Sequence, residues 1–259
     1  MFATTDPAAL PEFDLGIVAT KATQMDAAVA PLAERFPDAV LMTIQNGIGA
    51  EQLLARYGDW PLIYSVTFMS GIRHGDHQIE YELDTATWLG PFHPSGATTT
   101  TAESVGELFV ASGLKAEVLP DVRPAQWSKL IFNHAVNSVA AVTDLPHVAL
   151  YARREKPSDL GWLVAGLIEE GGATAAASGV ELFEDPWEMN VEAVTTGETD
   201  AEAYAHVPSM LGDIRAGSKT EIEFITGAIV READRLGVDV PLSRAMYQLV
   251  RARDRSYDD

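Results

Sequence analysis

Residues 125–137, AQWSKLIFNHAVN, constrain this chain more than any other stretch, because seven of the thirteen side chains are apolar while Lys129, Asn133 and Asn137 recur four apart. In an α-helix, at roughly 100° per residue, positions four apart drift by about 40°, so Lys129, Asn133 and Asn137 share a stripe about 80° wide. Trp127, Leu130, Ile131, Phe132, Ala135 and Val136 cover most of the remaining circumference. A helix apolar on nearly all sides must be surrounded by other elements. An ammonium and two amides buried without partners are costly, so the stripe must meet a polar network or a cleft that a ligand completes. Lys129 is therefore the first catalytic candidate. The alternative is a lysine snorkelling from a core helix, with both asparagines bonded to nearby backbone.

With 259 residues, the chain has enough length to bury such a helix and to form two domains of ordinary size. A hydrophobic content of 47% against 22% charged residues is globular, so disorder is not expected. The 38 acidic against 18 basic residues give a formal charge of −20, which would repel a phosphate backbone or an anionic bilayer. Nucleic acid and membrane surfaces are accordingly not expected as partners. The lack of cysteine excludes disulfides and thiol catalysis. Apolar runs such as Trp162–Ile168 fall far short of the ~20 residues that span a bilayer. The opening MFATTDPAALPEFD has neither the basic start nor the apolar core of a signal peptide, which makes the cytoplasm the expected location.

Taken in order, Phe13–Thr20 reads as a buried strand followed by Lys21, Thr23 to Arg35 as a helix, and Ala39–Ile44 as a second strand. Gln45-Asn46-Gly47-Ile48-Gly49 then turns the chain into a helix over Ala50–Tyr57. This alternation predicts a parallel sheet with right-handed crossovers. Strands are expected at Leu62–Met69, Gln78–Leu83, Thr87–Phe92 and Ala116–Leu119, with a loop or hairpin at Gly71 to Asp76. A helix is expected at Glu103–Ala111, with Thr98–Thr101 as a loop before it. After Pro120 strand signals almost vanish. Helical patterns follow at Pro124–Thr143, Asp159–Ser178, Pro186–Thr196, Met210–Gly237 and Pro241–Arg253. The expected class is α/β followed by all-α, with domains at residues 1–120 and 121–259.

Lys21 and Asn46 lie just beyond two successive expected parallel strands, the edge at which open α/β sheets bind ligands. Gly47 and Gly49 would let backbone approach a ligand closely. Asn-Gly is also a favoured hairpin turn, so the strand-to-helix context decides for a functional Asn46. Ser209 and Glu221 bracket a second polar group. On one continuous helix their twelve-residue separation would span about 18 Å, so either the helix breaks at Gly217 or the two touch different parts of a cleft. A capping serine and a surface glutamate are the plainer alternative. His74 and His77 share a polar loop without the pattern of a zinc site, so no metal is expected. There is no G-x-S-x-G, so a serine-hydrolase elbow has no place.

The segments DLGIVATKATQ, TIQNGIGAEQLL, WSKLIFNHAVNSVAA and HVPSMLGDIRAGSKTEIEFITGAIVREADRLGVDVP, in this order, resemble the ketopantoate reductase (2-dehydropantoate 2-reductase) family from about Phe13 to Arg253. The resemblance implies a partial Rossmann-type N-terminal domain and a helical C-terminal domain of the 6-phosphogluconate dehydrogenase kind. It also implies NADPH-dependent reduction of 2-dehydropantoate to pantoate, a step towards pantothenate and coenzyme A. By motif, Lys129 is implied as the general acid and Glu221 as the acid that contacts the substrate hydroxyl and supports the lysine. Asn133, Asn137 and Ser209 are implied as substrate contacts, and Lys21 and Asn46 as cleft residues that hold nicotinamide and substrate.

Departures from the family pattern bear on these expectations. Members open with a strand and a G-x-G-x-x-G turn that seats the cofactor pyrophosphate; the chain enters just ahead of what would be their fourth strand. Phe13–Thr20 is then expected to form an exposed apolar edge. His147 and His206 stand where some members carry substrate-contacting asparagines. Three readings follow: an NADPH-dependent reductase of 2-dehydropantoate, a reductase of a different 2-oxo acid, or a truncated, non-catalytic binding or dimerising relative. An exposed sheet edge and long helices are compatible with a homodimer.

Overall fold

A computed structural model describes residues 3–33, 35–69, 71–81, 85–146, 158–189 and 207–256. The chain divides into two compact units, one of Met1–Gln45 with Gly49–Val122, the other of Asn46–Ile48 with Arg123–Asp259.

The first unit is built on a five-stranded sheet formed by β1 (Leu15–Val18), β2 (Val40–Thr43), β3 (Leu62–Thr67), β6 (Thr87–Pro91) and β7 (Ala116–Val118), in that spatial order. β1, β2 and β3 are parallel, with Leu15 opposite Val40 and Leu41 opposite Leu62. Successive strand residues face opposite sides of a sheet. Accordingly Leu41 and Leu62 pack with Val18, Met25, Val29, Leu54 and Trp60 on one side. Met42 and Ile63 pack with Leu89, Ala102, Val105 and Phe109 on the other. Both faces are covered, which explains the continuous apolar runs of these strands. The helices that cover them are α1 (Met25–Val29), α2 (Ala50–Leu54) and α3 (Thr99–Ala111).

The parallel order expected for the first strands ends at β3: β6 runs antiparallel to it, with Tyr64 opposite Gly90. The connection between them holds a two-stranded ribbon, β4 (Gly71–Arg73) with β5 (Ile79–Tyr81), in place of a crossover helix. A parallel return needs such a crossover. α3 supplies one between β6 and β7, and those two strands are parallel. The loop or hairpin expected at Gly71 to Asp76 is a hairpin, and the end of the expected Gln78–Leu83 strand lies outside the described residues.

Two helix starts also differ from expectation. The threonine run is the beginning of α3: Thr98 caps it by accepting from Thr101 N, and the two side chains complete a capping box. The segment expected as one helix from Thr23 is α1 flanked by 3-10 turns at Ala22–Gln24 and Ala30–Leu32. Pro31 lacks the N–H that a continuous α-helix would require there. At the bottom of the core, Trp60 is fully buried and its Nε1 donates to Phe36 O at 2.7 Å. Trp60→Phe should lower stability by about 1–3 kcal/mol, because the Phe36 carbonyl loses its short indole donor and is left with the longer bond from Ala39 N at 3.4 Å, while Phe also fills less of the core. Urea denaturation checks this, and an unchanged midpoint would mean the carbonyl finds a replacement.

The second unit is centred on α4 (Arg123–Thr143), buried along nearly its whole length from Ala125 to Ala141. α5 (Asp159–Ala177), α6 (Ser209–Arg215), α7 (Thr226–Leu236) and α8 (Pro241–Arg255) complete the described helices of this unit beyond a single turn at residues 186–189. Trp127, Leu130 and Ile131 of α4 share a core with Ala175, Met210, Ile214, Ile225, Ile229 and Val250. α5 approaches closely at Gly171, where a Cβ would come within 2.9 Å of the Ile131 side chain. The helix expected over Met210–Gly237 is interrupted: α6 ends at Arg215, Gly217 takes a left-handed φ of 64°, and α7 starts only at Thr226. Most of the expected Pro186–Thr196 helix, with His147 and His206, lies outside the described residues.

Candidate active site

α4 presents the polar stripe that its sequence spacing demands. Asn133 and Asn137 are buried, at 7% and 5% exposure, and Lys129 keeps partial exposure as a residue. Burial of the ammonium pulls the Lys129 pKa down to about 8, and the nearby Glu221 carboxylate opposes that fall. Lys129 and Glu221 therefore act on one another, although 92 positions separate them in the chain.

Glu221 sits in the interruption between α6 and α7, where its carbonyl accepts from Phe224 N at 3.0 Å and Ile225 N at 3.1 Å. This turn is anchored on both flanks. Thr220 Oγ1 donates to Asp254 Oδ2 at 2.7 Å, and Glu223 accepts from Tyr247 Oη at 2.6 Å while pairing with Arg251 at 3.1 Å. Arg231 Nη2 adds a bond to Glu223 O at 2.8 Å. A carboxylate on a free loop would lose its position to thermal motion; these anchors hold the turn that carries Glu221.

Residues 46–48 cluster with this same unit. Gly47 has a φ of +96°, and a Cβ there would lie 2.1 Å from Phe224 O, so only glycine permits the approach. Ile48 N donates to Phe224 O at 3.0 Å, and Gln126 Nε2 donates to Gly47 O at 3.3 Å. Asn46 is thus tied by its neighbour to the Glu221 turn and, through Gln126, to α4 one turn before Lys129. Ser209 lies exposed at the first position of α6, whose preceding Pro208 supplies no side-chain cap. The helix break removes the straight 18 Å rod between Ser209 and Glu221 that an unbroken helix would impose.

In the first unit, Lys21 follows β1 at the head of the 3-10 turn Ala22–Gln24. Two residues beside it carry a signal that hydrophobic patterning did not reveal. Gln45 Nε2 donates to Val18 O at 2.8 Å and Thr20 O at 3.0 Å. With the amide nitrogen so engaged, Gln45 Oε1 is left buried without a hydrogen-bond partner, as is Thr20 Oγ1. Buried polar atoms of this kind mark strain or a ligand that completes them. An acceptor and a hydroxyl at the C-terminal end of a parallel strand lie at the edge where open α/β sheets bind ligands. The only advance hint was the position of Gln45 ahead of Asn-Gly.

Elsewhere in the second unit a groove of about 450 Å³, lined by Ile168, Gly172, Leu182, Phe183 and residues 184–186, holds none of the stripe residues. Among the described residues no group of three or more His, Asp or Glu could hold a metal ion, and His74 is paired with Glu80 at 2.6 Å. No helix among them is long and apolar enough to cross a membrane.

Comparison with known proteins matches the ketopantoate reductase PanE/ApbA family over residues 2–94 and its C-terminal family model over residues 121–254. A 2-dehydropantoate 2-reductase of Pyrococcus horikoshii is 30% identical over 252 residues, covering 97% of this chain and 78% of the relative. The enzyme of that name from Archaeoglobus fulgidus is 29% identical over 239 residues, 92% of this chain and 76% of its own length. The crystal structure of a PanE/ApbA family ketopantoate reductase from Ralstonia eutropha JMP134 covers 99% of this chain and 80% of that one, with a TM-score of 0.85 at 24% identity. This likeness shows the fold, a mixed-sheet Rossmann-like part followed by a helical part. With one family model spanning more than half of the sequence and relatives aligned along nearly all of it, the chain belongs to the ketopantoate reductase family.

Proposed function

We propose that this protein reduces 2-dehydropantoate to pantoate with NADPH, a step of pantothenate and coenzyme A biosynthesis, and that Lys129 is the proton donor. The observation that carries this reading is the Lys129 ammonium, buried to a pKa of about 8 beside Glu221 and on one stripe with Asn133 and Asn137. A ketone reduced at its carbonyl carbon develops negative charge on oxygen. An ammonium near neutrality both stabilises that charge and delivers the proton the alkoxide needs.

The reduced nicotinamide supplies the hydride when bound. In the first unit Thr20, Lys21 and Gln45 would hold the nucleotide, whose reacting end Asn46 of the second unit would orient. In the second, Asn133, Asn137 and Ser209 would bind the oxo acid, and Glu221 would accept from its hydroxyl while keeping Lys129 charged. A bound oxo acid would also meet the hydrogen-bonding needs of the buried asparagine amides.

The test is a fluorescence titration of the 259-residue chain with NADPH, followed by addition of 2-dehydropantoate while nicotinamide absorbance is recorded. Micromolar binding and substrate-dependent loss of absorbance are expected. Oxidation of NADPH by another 2-oxo acid but not by 2-dehydropantoate would keep the chemistry and replace the substrate. A folded chain that binds no NADPH would overturn the reductase reading in favour of a binding or dimerising role.

A further inference from the structure

His134 lies on α4 five residues beyond Lys129, fully buried, and has no part in the reaction proposed above. Its Nδ1 is 3.0 Å from Thr226 Oγ1 and its Nε2 is 3.0 Å from Ser243 Oγ. Ser243 Oγ in turn donates to Glu170 Oε2 at 2.6 Å. A hydroxyl has one proton, so Ser243 can only accept from the imidazole. Nε2 therefore carries the ring proton, and Nδ1 accepts from the Thr226 hydroxyl. The ring is neutral, because burial holds its pKa down near 3.

The resulting chain runs from Thr226 through His134 and Ser243 to Glu170, crossing α7, α4, α8 and α5. It ends on a carboxylate that also accepts from Leu242 N at 2.9 Å and Ser243 N at 2.7 Å. Val240, at the N-cap of α8, offers no side-chain oxygen, so Glu170 supplies the cap from another helix. The chain is consequently fixed at its far end by a charge-assisted anchor. At its near end stands Thr226, the first residue of α7 and the immediate continuation of the turn that begins at Glu221.

We propose that His134 is a positioning residue for the reduction: by holding Thr226 to α4 it sets where the Glu221 turn stands relative to Lys129. This rests on the function proposed above. Imidazole suits the task because one rigid ring offers an acceptor and a donor in different directions, so a single side chain fixes two helices against a third. Thr226 and Ser243 are both 0% exposed, so solvent cannot replace a lost contact. Gly227 N donates to Ile222 O at 2.8 Å, which passes a displacement of Thr226 directly into the turn.

Thr226→Val removes the hydroxyl at nearly constant volume, and Thr226→Ser returns it. The readouts are kcat and KM for the oxo acid, together with NMR titration of the Lys129 ε-carbon in chain labelled at its five lysines. Thr226→Val should lower kcat about tenfold with KM changed less than about threefold, as expected for a misplaced catalytic group. It should also make Lys129 titrate at lower pH, because the Glu221 carboxylate, which raises the pKa of that ammonium, then supports it less. Thr226→Ser should restore both. A loss of thermal stability with kcat and the Lys129 titration unchanged would make the contact purely structural and overturn the proposal. If Thr226→Val does not fold, His134→Gln, which can keep the Ser243 contact while withdrawing the Nδ1 acceptor, serves the same comparison. Because the NMR titration needs no turnover, it decides the positioning role even if the wild-type chain proves inactive.

Discussion

Lys129→Met is expected to lower the rate of reduction by about 10²–10⁴-fold, the range for removing a positioned general acid, while leaving the protein at least as stable as before. The two effects have one origin. The Lys129 pKa is pulled from the ordinary lysine value of 10.5 to about 8, chiefly by burial, so the folded chain carries this charge at a cost. Between those two pH values the unfolded chain binds more protons at this site than the folded one, so stability at this site rises as pH is raised through the window. Below about pH 8 the ammonium is present and the cost is borne in full, on the order of 3 kcal/mol before allowance for the partial exposure of the residue. Methionine removes the charge and fills a similar volume. The melting temperature near pH 7 should therefore rise by a few degrees or stay level, set against the loss of Glu221's partner. In the wild type, the reduction rate should fall about tenfold per pH unit above about 8, where the amine loses its proton. A Lys129→Met enzyme with native kcat would remove the lysine from the chemistry.

Gly47→Ala should be the most damaging change that alters no polar side chain. The added methyl would stand 2.1 Å from the Phe224 carbonyl oxygen, and the backbone is held at a φ of +96° that alanine adopts only under strain. One of the two segments must move. Either way the Ile48 N–Phe224 O bond of 3.0 Å is lost or stretched, and the shift falls on Asn46 and on the turn that carries Glu221. A cost of about 2–4 kcal/mol is expected from strain and the broken contact. A displacement of about 1 Å at a reacting group is worth about 10²-fold in rate. Urea unfolding and steady-state kinetics on the same preparation separate the two. Native stability together with native kcat would show that the turn accommodates the methyl, and that its closeness to Phe224 is not needed for catalysis.

The candidate site was legible in the sequence to different depths. Lys129, Asn133 and Asn137 could be grouped from one helical periodicity, because residues four apart share a face whatever the helix packs against. For Ser209 and Glu221 the twelve-residue separation already offered a break at Gly217 as one of two readings, and the chain breaks there, but the anchoring of the Glu221 turn was not legible. Gln45 and Thr20 carry no periodic signal. Their interest lies in buried oxygens without partners, a property of the assembled sheet end. His134 has no distinguishing signal in the helical pattern. Its meaning depends on Thr226 and Ser243, 92 and 109 positions away.

By itself the sequence determined most of the described strands and helices, the change from α/β to all-helical and the family, because these are written in local periodicity, turn residues and contiguous motifs. Tertiary structure alone decided that β6 returns antiparallel, that Gly47 presses on Phe224, and that the Glu221 turn is anchored by Asp254, Tyr247 and Arg231. The division has a physical cause. A local pattern fixes which face of a segment is apolar, whereas the partner of a buried polar group is chosen by every element that converges on it.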